Sequence, residues 1–352
     1  MPTYNMPGGF TIEAQDYEDA LYQLQIWSAT LPNATNALYP PPPYLQGSAV
    51  TPNKTPQKEI PMKEIVISKL LKYKSLSKYV GLEGKLQIRA PTTFIGVEIE
   101  LEKVNLSYLP NGTWTATEDG SLKEEGREFI TIPIQFKYLE VEIQRLFKGI
   151  KSCNASTRCS VHVHINVRDM NLEELYNFIL LYIIFEKSLY NYSGSRIDNN
   201  FCVPIFYYPI LVKDFLYELK EYKTINKSWY KYFGFNLSPI FGGESQPLGT
   251  IEFRHMKGNT DCNWIINWIN LIVSLKIQAK SLKHEELETH IRTMNTTSGY
   301  YWLAKETFKS FNELITKQPT FKDDIESCIT LAKSIVTKPE TTQEVIRLIK
   351  KR

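Results

Sequence analysis

The sequence predicts an α+β fold: an antiparallel sheet with one concave polar face, backed by helices, with an extended N-terminal arm and a helical C-terminal region. Three stretches carry that prediction, each alternating with the period of two that a strand imposes on its side chains. In residues 249–255, Ile251 and Phe253 share one face while Glu252 and Arg254 share the other. Residues 94–102 set Glu98, Glu100 and Glu102 opposite Val97, Ile99 and Leu101. Residues 160–167 set His162, His164 and Asn166 opposite Val161, Val163 and Ile165. A carboxylate beside a guanidinium is an odd solvent face. The three strands read as walls of one polar site.

Composition narrows the class. A chain of 352 residues buries a large core. Lys+Arg 41 against Asp+Glu 38 is near balance, which argues for neither a nucleic acid nor a membrane surface as partner. No apolar run approaches the roughly 20 residues of a spanning helix, and no signal peptide opens the chain. Five cysteines form no CxxC pair, so reduced thiols and a cytoplasmic location are expected. Richness in Tyr, Ile, Lys and Asn suggests an AT-rich genome such as a phage's, hence a host cytoplasm, with a virion as the alternative.

Four regions follow in order. Residues 1–60 hold one short helical pattern over 17–27 and then Pro32, Pro40 to Pro43, Pro52 and Pro56; such a stretch builds no core and reads as an arm. An arm of this kind suits wrapping a second subunit or docking in an assembly. Residues 61–90 read as an amphipathic helix over 62–80 and a linker broken at Gly81 and Gly84. Within 91–280, Pro110-Asn111-Gly112 marks a turn and 119–121 another, framing a hairpin or meander. A helix follows over 138–148, then a polar loop over 153–159 before the two-histidine strand. A second helix, 172–190, capped at Asp169 or Asn171, is apolar almost all round and should be buried. Helices over 209–224 and 263–280 flank a strand approach at 230–237, and residues 281–352 read as charged helices with a capping box at 341–344.

Clustered carboxylates suit hard cations such as magnesium, whose shell is completed by water and phosphate oxygens. Glu98 and Glu100 lie two residues apart on one strand face and reach one or two ions; alternatively they form a solvated edge. His162 and His164 either chelate zinc, with His255 the one further histidine in the pattern, or meet a phosphate, a metal-bound water or the substrate. Arg254 suits a phosphate or a developing oxyanion, with a salt bridge to Glu252 as the plainer account. No P-loop, dinucleotide-binding or nucleophile-elbow motif is present, so phosphate chemistry here would rest on carboxylate-bound metal on a sheet.

Taken in order, these pieces resemble the amidoligases, phage and bacterial members of the carboxylate–amine ligase superfamily related to glutamine synthetase and glutamate–cysteine ligase. The resemblance rests on Gly96-Val97-Glu98-Ile99-Glu100, Asp119-Gly120-Ser121-Leu122 and Gly126-Arg127-Glu128-Phe129-Ile130. It continues through Cys159-Ser160-Val161-His162-Val163-His164-Ile165, Arg196 with Phe201-Cys202-Val203-Pro204, and Gly249-Thr250-Ile251-Glu252-Phe253-Arg254, covering 91–280. It implies a glutamine-synthetase-like sheet and an ATP- and Mg2+- (or Mn2+-) dependent ligase that joins a carboxylate and an amine, of small-molecule or peptide substrates, through an acyl phosphate. It further implies Glu98, Glu100, Glu128 and Glu252 as metal ligands, Glu252 and Arg254 as catalytic groups, Arg196 closing over phosphate or substrate, and His162 or His164 at phosphate, metal or substrate. Departures are Ser160 where the resemblance expects glycine, Thr-Ile-Pro after Phe129-Ile130 where it expects Ser-Pro, and Phe201 in place of tyrosine. The alternative is a virion-associated structural protein that keeps the ligase fold and docks through its arm; a metal-dependent hydrolase using the His-x-His strand is a third reading.

Overall fold

A computed structural model describes residues 3–5, 11–13, 60–73, 76 and 93–337, apart from 111, 195, 226–228, 243–245, 295 and 319–321. The chain divides into two compact units, Met1–Glu59 and Ile60–Arg352. In the first, β1 (Thr3–Asn5) pairs antiparallel with β2 (Thr11–Glu13), Tyr4 opposite Ile12. The helical pattern at 17–27 and the proline run lie outside the described residues, as do Gly81, Gly84 and the capping box at 341–344.

In the second unit a 3-10 turn (Met62–Glu64) and a four-residue helix, α1 (Ile67–Leu70), replace the amphipathic helix expected over 62–80. The physical reason is backbone pairing. Ile67 N–H donates to the Met170 carbonyl, Leu172 N–H donates to the Ile65 carbonyl, and Val66 bridges Asn171, so this segment is a strap whose hydrogen bonds go outward rather than along a helix. Residues 74–75 and 77–80 lie outside the described residues.

The body of the unit is mixed α and β around an antiparallel sheet. Its strands are β3 (Phe94–Leu106), β4 (Trp114–Glu118), β5 (Arg127–Thr131), β6 (Ile134–Gln135), then, after α2 (Phe136–Gly149), β7 (Ile150–Asn154) and β8 (Ser160–Asn166). Helix α3 (Leu172–Tyr192), α4 (Pro209–Tyr217), a π-helical turn (Glu218–Tyr222), β9 (Phe235–Asn236), α5 (Ser238–Phe241) and β10 (Thr250–Lys257) follow. The sheet order is β4-β5-β3-β8-β10-β9, with β6 and β7 on opposite ends of the long β3. Two expectations change here. The turn at Pro110 to Gly112 does not close a hairpin, because β5 inserts between β3 and β4; and β7 occupies 150–154, where loop was expected from 153.

One face of the sheet is dry. Val97, Ile99, Leu101, Phe129, Val161, Val163, Ile165, Ile251, Phe253 and Phe235 are buried there, against α3 and α6 (Cys262–Ser281). Tyr182 stacks on Phe235 with ring centres 4.1 Å apart, and Phe253 meets Phe178 and Trp268. Helix α3 is apolar on every side because it is covered on every side. Its start is fixed by Asn171, whose side chain accepts from Glu174 N–H while Glu174 reaches back to Asn171 N–H. Beyond α6, helices α7 (His284–Thr293), α8 (Thr296–Phe308), α9 (Asn312–Thr316) and α10 (Lys322–Val336) complete the unit, α10 packing on α3. No helix among the described residues is long and apolar enough to cross a membrane.

Candidate functional site

The other face of the sheet gathers the polar side chains into rungs. Register places Glu98 opposite His162, Gly96 opposite His164, His164 opposite Glu252, Glu252 opposite Asn236, and Glu100 opposite Glu128. Residues directly opposite on one face lie about 4.5–5.5 Å apart at Cβ, so five strands deliver their polar groups to one patch by backbone geometry alone.

At its centre is Glu98. Its Oε2 is 3.1 Å from His162 Nδ1, and its Oε1 is 3.3 Å from His164 Nε2. His162 Nδ1 also lies 3.5 Å from Glu252 Oε1. Glu252 accepts from Asn236 Nδ2 at 2.8 Å and from Arg254 Nη1. The salt bridge to Glu252 is therefore real, and it fixes Arg254 at the edge of the patch. Arg254 Nε donates to the Phe201 carbonyl at 3.0 Å, and Arg196 Nη1 donates to the Arg254 carbonyl at 3.1 Å. Gly234 allows this approach, since Arg254 N–H donates to its carbonyl and a Cβ there would fall 2.2 Å from the Tyr190 hydroxyl.

The charges are strained against one another. Burial pushes Glu98 up, but hydrogen bonds from His162 and His164 outweigh it and hold the carboxyl well below the usual carboxylate range. Glu252 is likewise pushed up by burial and pulled below its ordinary value by Arg254 and both histidines. Burial pulls His164 down, while the Glu98 hydrogen bond and the nearby carboxylates raise it overall. Among the described residues Glu128 has no cationic partner of this kind; burial, then Glu98, Glu100 and Asp119, push it up to about 7.

Two groups of donors on this face are close enough to share an ion. One atom each from Glu98, His164 and Glu252 lie within 4.8 Å of one another, and so do one each from Glu100, Asp119 and Glu128. Ligands about 2.1 Å from a magnesium-type ion stand about 3 Å apart at right angles, so small side-chain movements suffice. His164 Nδ1 lies 3.1 Å from Thr250 Oγ1, which leaves Nε2 turned toward Glu98 and Glu252. Oxygen-rich donors with one imidazole suit magnesium or manganese; the three-histidine zinc set does not form. His255 lies on the dry face, its Nε2 2.6 Å from the Tyr182 hydroxyl among Tyr190, Phe253 and Trp268. Burial, then Arg196, pull it down to about 3, so it is neutral.

The sheet thus brings together Glu98, Glu100, Glu128, His162, His164, Glu252 and Arg254, with Arg196 behind the arginine's backbone. Asp119, Asn236, Thr250 and Ser160 were not singled out as site residues by sequence. Asp119 carried the one usable signal, an Asp-Gly-Ser turn between strands. Its loop is held by Lys123 N–H to Glu102 Oε1 at 2.9 Å and Arg158 Nη1 to the Ser121 carbonyl at 3.1 Å. Compared with models of known protein families and with curated proteins, the chain matches none.

Proposed function

We propose that this chain is an ATP- and divalent-metal-dependent carboxylate–amine ligase on a glutamine-synthetase-like sheet. One observation carries the reading: two carboxylate groups of donors sit side by side on a polar sheet face, with an arginine fixed at the edge. Phosphoryl transfer demands little covalent chemistry from a protein and much charge neutralisation and positioning. Glu98, His164 and Glu252 would hold one cation, and Glu100, Asp119 and Glu128 a second. Bound divalent ions would supply neutralisation of the phosphate oxygens and of the carboxylate being activated. Arg254 would face the transferring phosphoryl group through whichever guanidinium N–H groups Glu252 and Phe201 leave over, and Arg196 holds that strand edge in place. The γ-phosphoryl group of ATP passes to the substrate carboxylate; the amine then attacks the acyl carbon, forming the amide C–N bond and expelling phosphate.

Calorimetric titration with ATP and Mg2+ tests this. Nucleotide binding that requires Mg2+ and disappears in the Glu98→Ala, Glu100→Ala variant is the expected result. Absence of binding by the unaltered chain removes the ligase reading, and the same fold would then be read as serving an assembly.

A further inference from the structure

A guanidinium keeps its five N–H groups, in one plane, at every pH a folded protein meets. Arg254 gives Nε–H to the Phe201 carbonyl at 3.0 Å and an Nη1–H to Glu252. Nη2, with both its hydrogens, has no partner among the described residues. The edge that Arg254 offers to an oxyanion therefore depends on where the Phe201 carbonyl stands. That carbonyl belongs to a peptide unit held at both ends. No peptide bond here is cis, so Phe201 C=O and Cys202 N–H point in opposite directions. Cys202 N–H donates to the Asn199 carbonyl at 2.9 Å, which turns Phe201 C=O toward Arg254. The next unit is gripped in the same way. Val203 N–H donates to the Tyr232 carbonyl at 2.8 Å, and Cys202 C=O accepts from the Tyr190 hydroxyl at 2.8 Å. Cys202 Sγ lies 3.5 Å from that hydroxyl as well. Tyr190 is fully buried in the last turn of α3, its ring 4.4 Å from that of His255, the neighbour of Arg254 in β10. Its hydroxyl ties the stretch around Cys202 to a buried helix.

We propose that Tyr190 is a positioning residue for Arg254: through the Phe201–Cys202 peptide its hydroxyl holds the guanidinium so that Nη2 is left for an oxyanion. Tyr190 touches neither that ligand nor a cation site. It acts through two peptide units and one arginine. Removing the hydroxyl leaves the buried Cys202 carbonyl without this donor, and a buried acceptor left bare drives its peptide unit to turn toward another partner. The Phe201 carbonyl hinges on the same Cα of Cys202, so its direction loosens too. With Nε committed to Phe201, the side-on fork of Nε and Nη2 is closed to a ligand, and the oxyanion is met through Nη2 and whatever Nη1 keeps beyond Glu252. That the oxyanion is a phosphate of ATP rests on the ligase reading; the hold on Nε–H does not.

Two measurements on the full chain test this. First, 15N NMR of the arginine Nε–H groups, with Arg254 identified by its loss in Arg254→Lys, reads how fast each proton exchanges with water. The expected result is a protected Arg254 Nε–H in the wild type that exchanges about tenfold faster in Tyr190→Phe, the scale of one lost hydrogen bond. Arg168 Nε, which donates to the Leu248 carbonyl at 2.9 Å, is the control, because a merely weakened fold would release both. An unprotected Arg254 Nε–H in the wild type overturns the proposal without any variant. A Tyr190→Phe protein in which it stays protected, or in which Arg168 is released equally, overturns it as well. Should Tyr190→Phe fail to fold, Asn199→Ala takes its place. It loosens the same peptide from the exposed side by removing the Oδ1 that accepts from Phe201 N–H at 2.8 Å. Unchanged exchange at Arg254 there breaks the link through the peptide and overturns the proposal. Second, calorimetric titration should show Mg2+-dependent ATP binding weakened about tenfold in Tyr190→Phe. Mn2+ affinity without nucleotide should stay within about twofold, since Arg254 is no metal ligand. Equal ATP affinity overturns the aim at phosphate. A wild type that binds no ATP, with the exchange result as expected, removes the ligase reading and leaves the hold on Arg254 standing.

Discussion

The two faces of this sheet hold the same chemical types in opposite states. On the dry face Glu186 sits in the middle of α3, fully buried, and accepts three hydrogen bonds: from the Tyr182 hydroxyl at 2.9 Å, Ile205 N–H at 2.7 Å and Phe206 N–H at 2.9 Å. Tyr182 in turn meets His255. Glutamate and hydroxyl there are closed on one another and on backbone, and the histidine meets them through Nε2. On the polar face the partners of Glu98 and Glu252 are side chains, His162 and His164 for one and Asn236 and Arg254 for the other, and a second set of carboxylates, Glu100, Asp119 and Glu128, stands alongside. A lone buried carboxylate closed by backbone donors holds the fold together. Several gathered on one face are the arrangement that a cation would complete.

If the difference is one of role, variants on the two faces should separate binding from stability. The largest effect belongs to Glu98→Gln with Glu252→Gln. Removing both charges should weaken Mn2+ binding at least ~100-fold, while the melting temperature of the metal-free protein moves little. Comparable Mn2+ affinity in this variant would mean that the group around Glu98 is only structural.

Glu186→Gln should do the reverse. Burial pushes Glu186 up to about 7 from 4.5, against the pull of Tyr182 and the two backbone donors. In the native state it keeps its proton up to about pH 7, while the unfolded chain releases it near 4.5. Between those values the native state holds the extra proton, so stability falls as pH rises. The loss is of order 3 kcal/mol across the window. The variant should show a flatter dependence of unfolding free energy on pH over that window, read by urea titration, with Mn2+ affinity within about twofold of the wild type. An unchanged slope would show that Glu186 is ionised throughout.

A smaller effect is due at Tyr182→Phe. The ring keeps its stack on Phe235, but Glu186 loses one donor and His255 Nε2 loses its partner, which should cost about 1–3 kcal/mol. Denaturant unfolding reads this directly. A neutral result would place the Tyr182 hydroxyl outside the network.

Much of the polar face was legible because alternation is a property of the strand backbone. Glu98 and Glu100 had to share a face, as did His162 with His164 and Glu252 with Arg254. The same alternation sets His255 beside Ile251 and Phe253, so its burial was readable as well, though counting histidines for a zinc site obscured it. Register was not readable. That Glu98 stands opposite His162 and Glu100 opposite Glu128 depends on how strands distant in sequence align, and on the bulge between Phe253 and Met256. Asp119 reaches Glu100 and Glu128 only because its loop is tied to Glu102 and Arg158. The strap over 60–73 is hidden from sequence for a related reason: apolar spacing cannot reveal that Ile67 and Leu172 find their backbone partners in each other's neighbourhoods.

The mildest test lies one shell out, at Thr250. Its hydroxyl stands 3.1 Å from His164 Nδ1, and opposite it in register is Asn166, so no carboxylate competes for that contact within the pair. Valine keeps the β-branched shape a strand favours and removes only the oxygen. If Thr250 fixes the ring with Nε2 toward Glu98, then Thr250→Val frees the imidazole to rotate or to exchange tautomers. Mn2+ affinity should then fall about tenfold, or about 1.4 kcal/mol, with unfolding free energy altered by less than ~1 kcal/mol. Unaltered affinity would mean that strand packing alone aims His164, and that the two faces of the sheet differ in what they leave open and not in how they hold it.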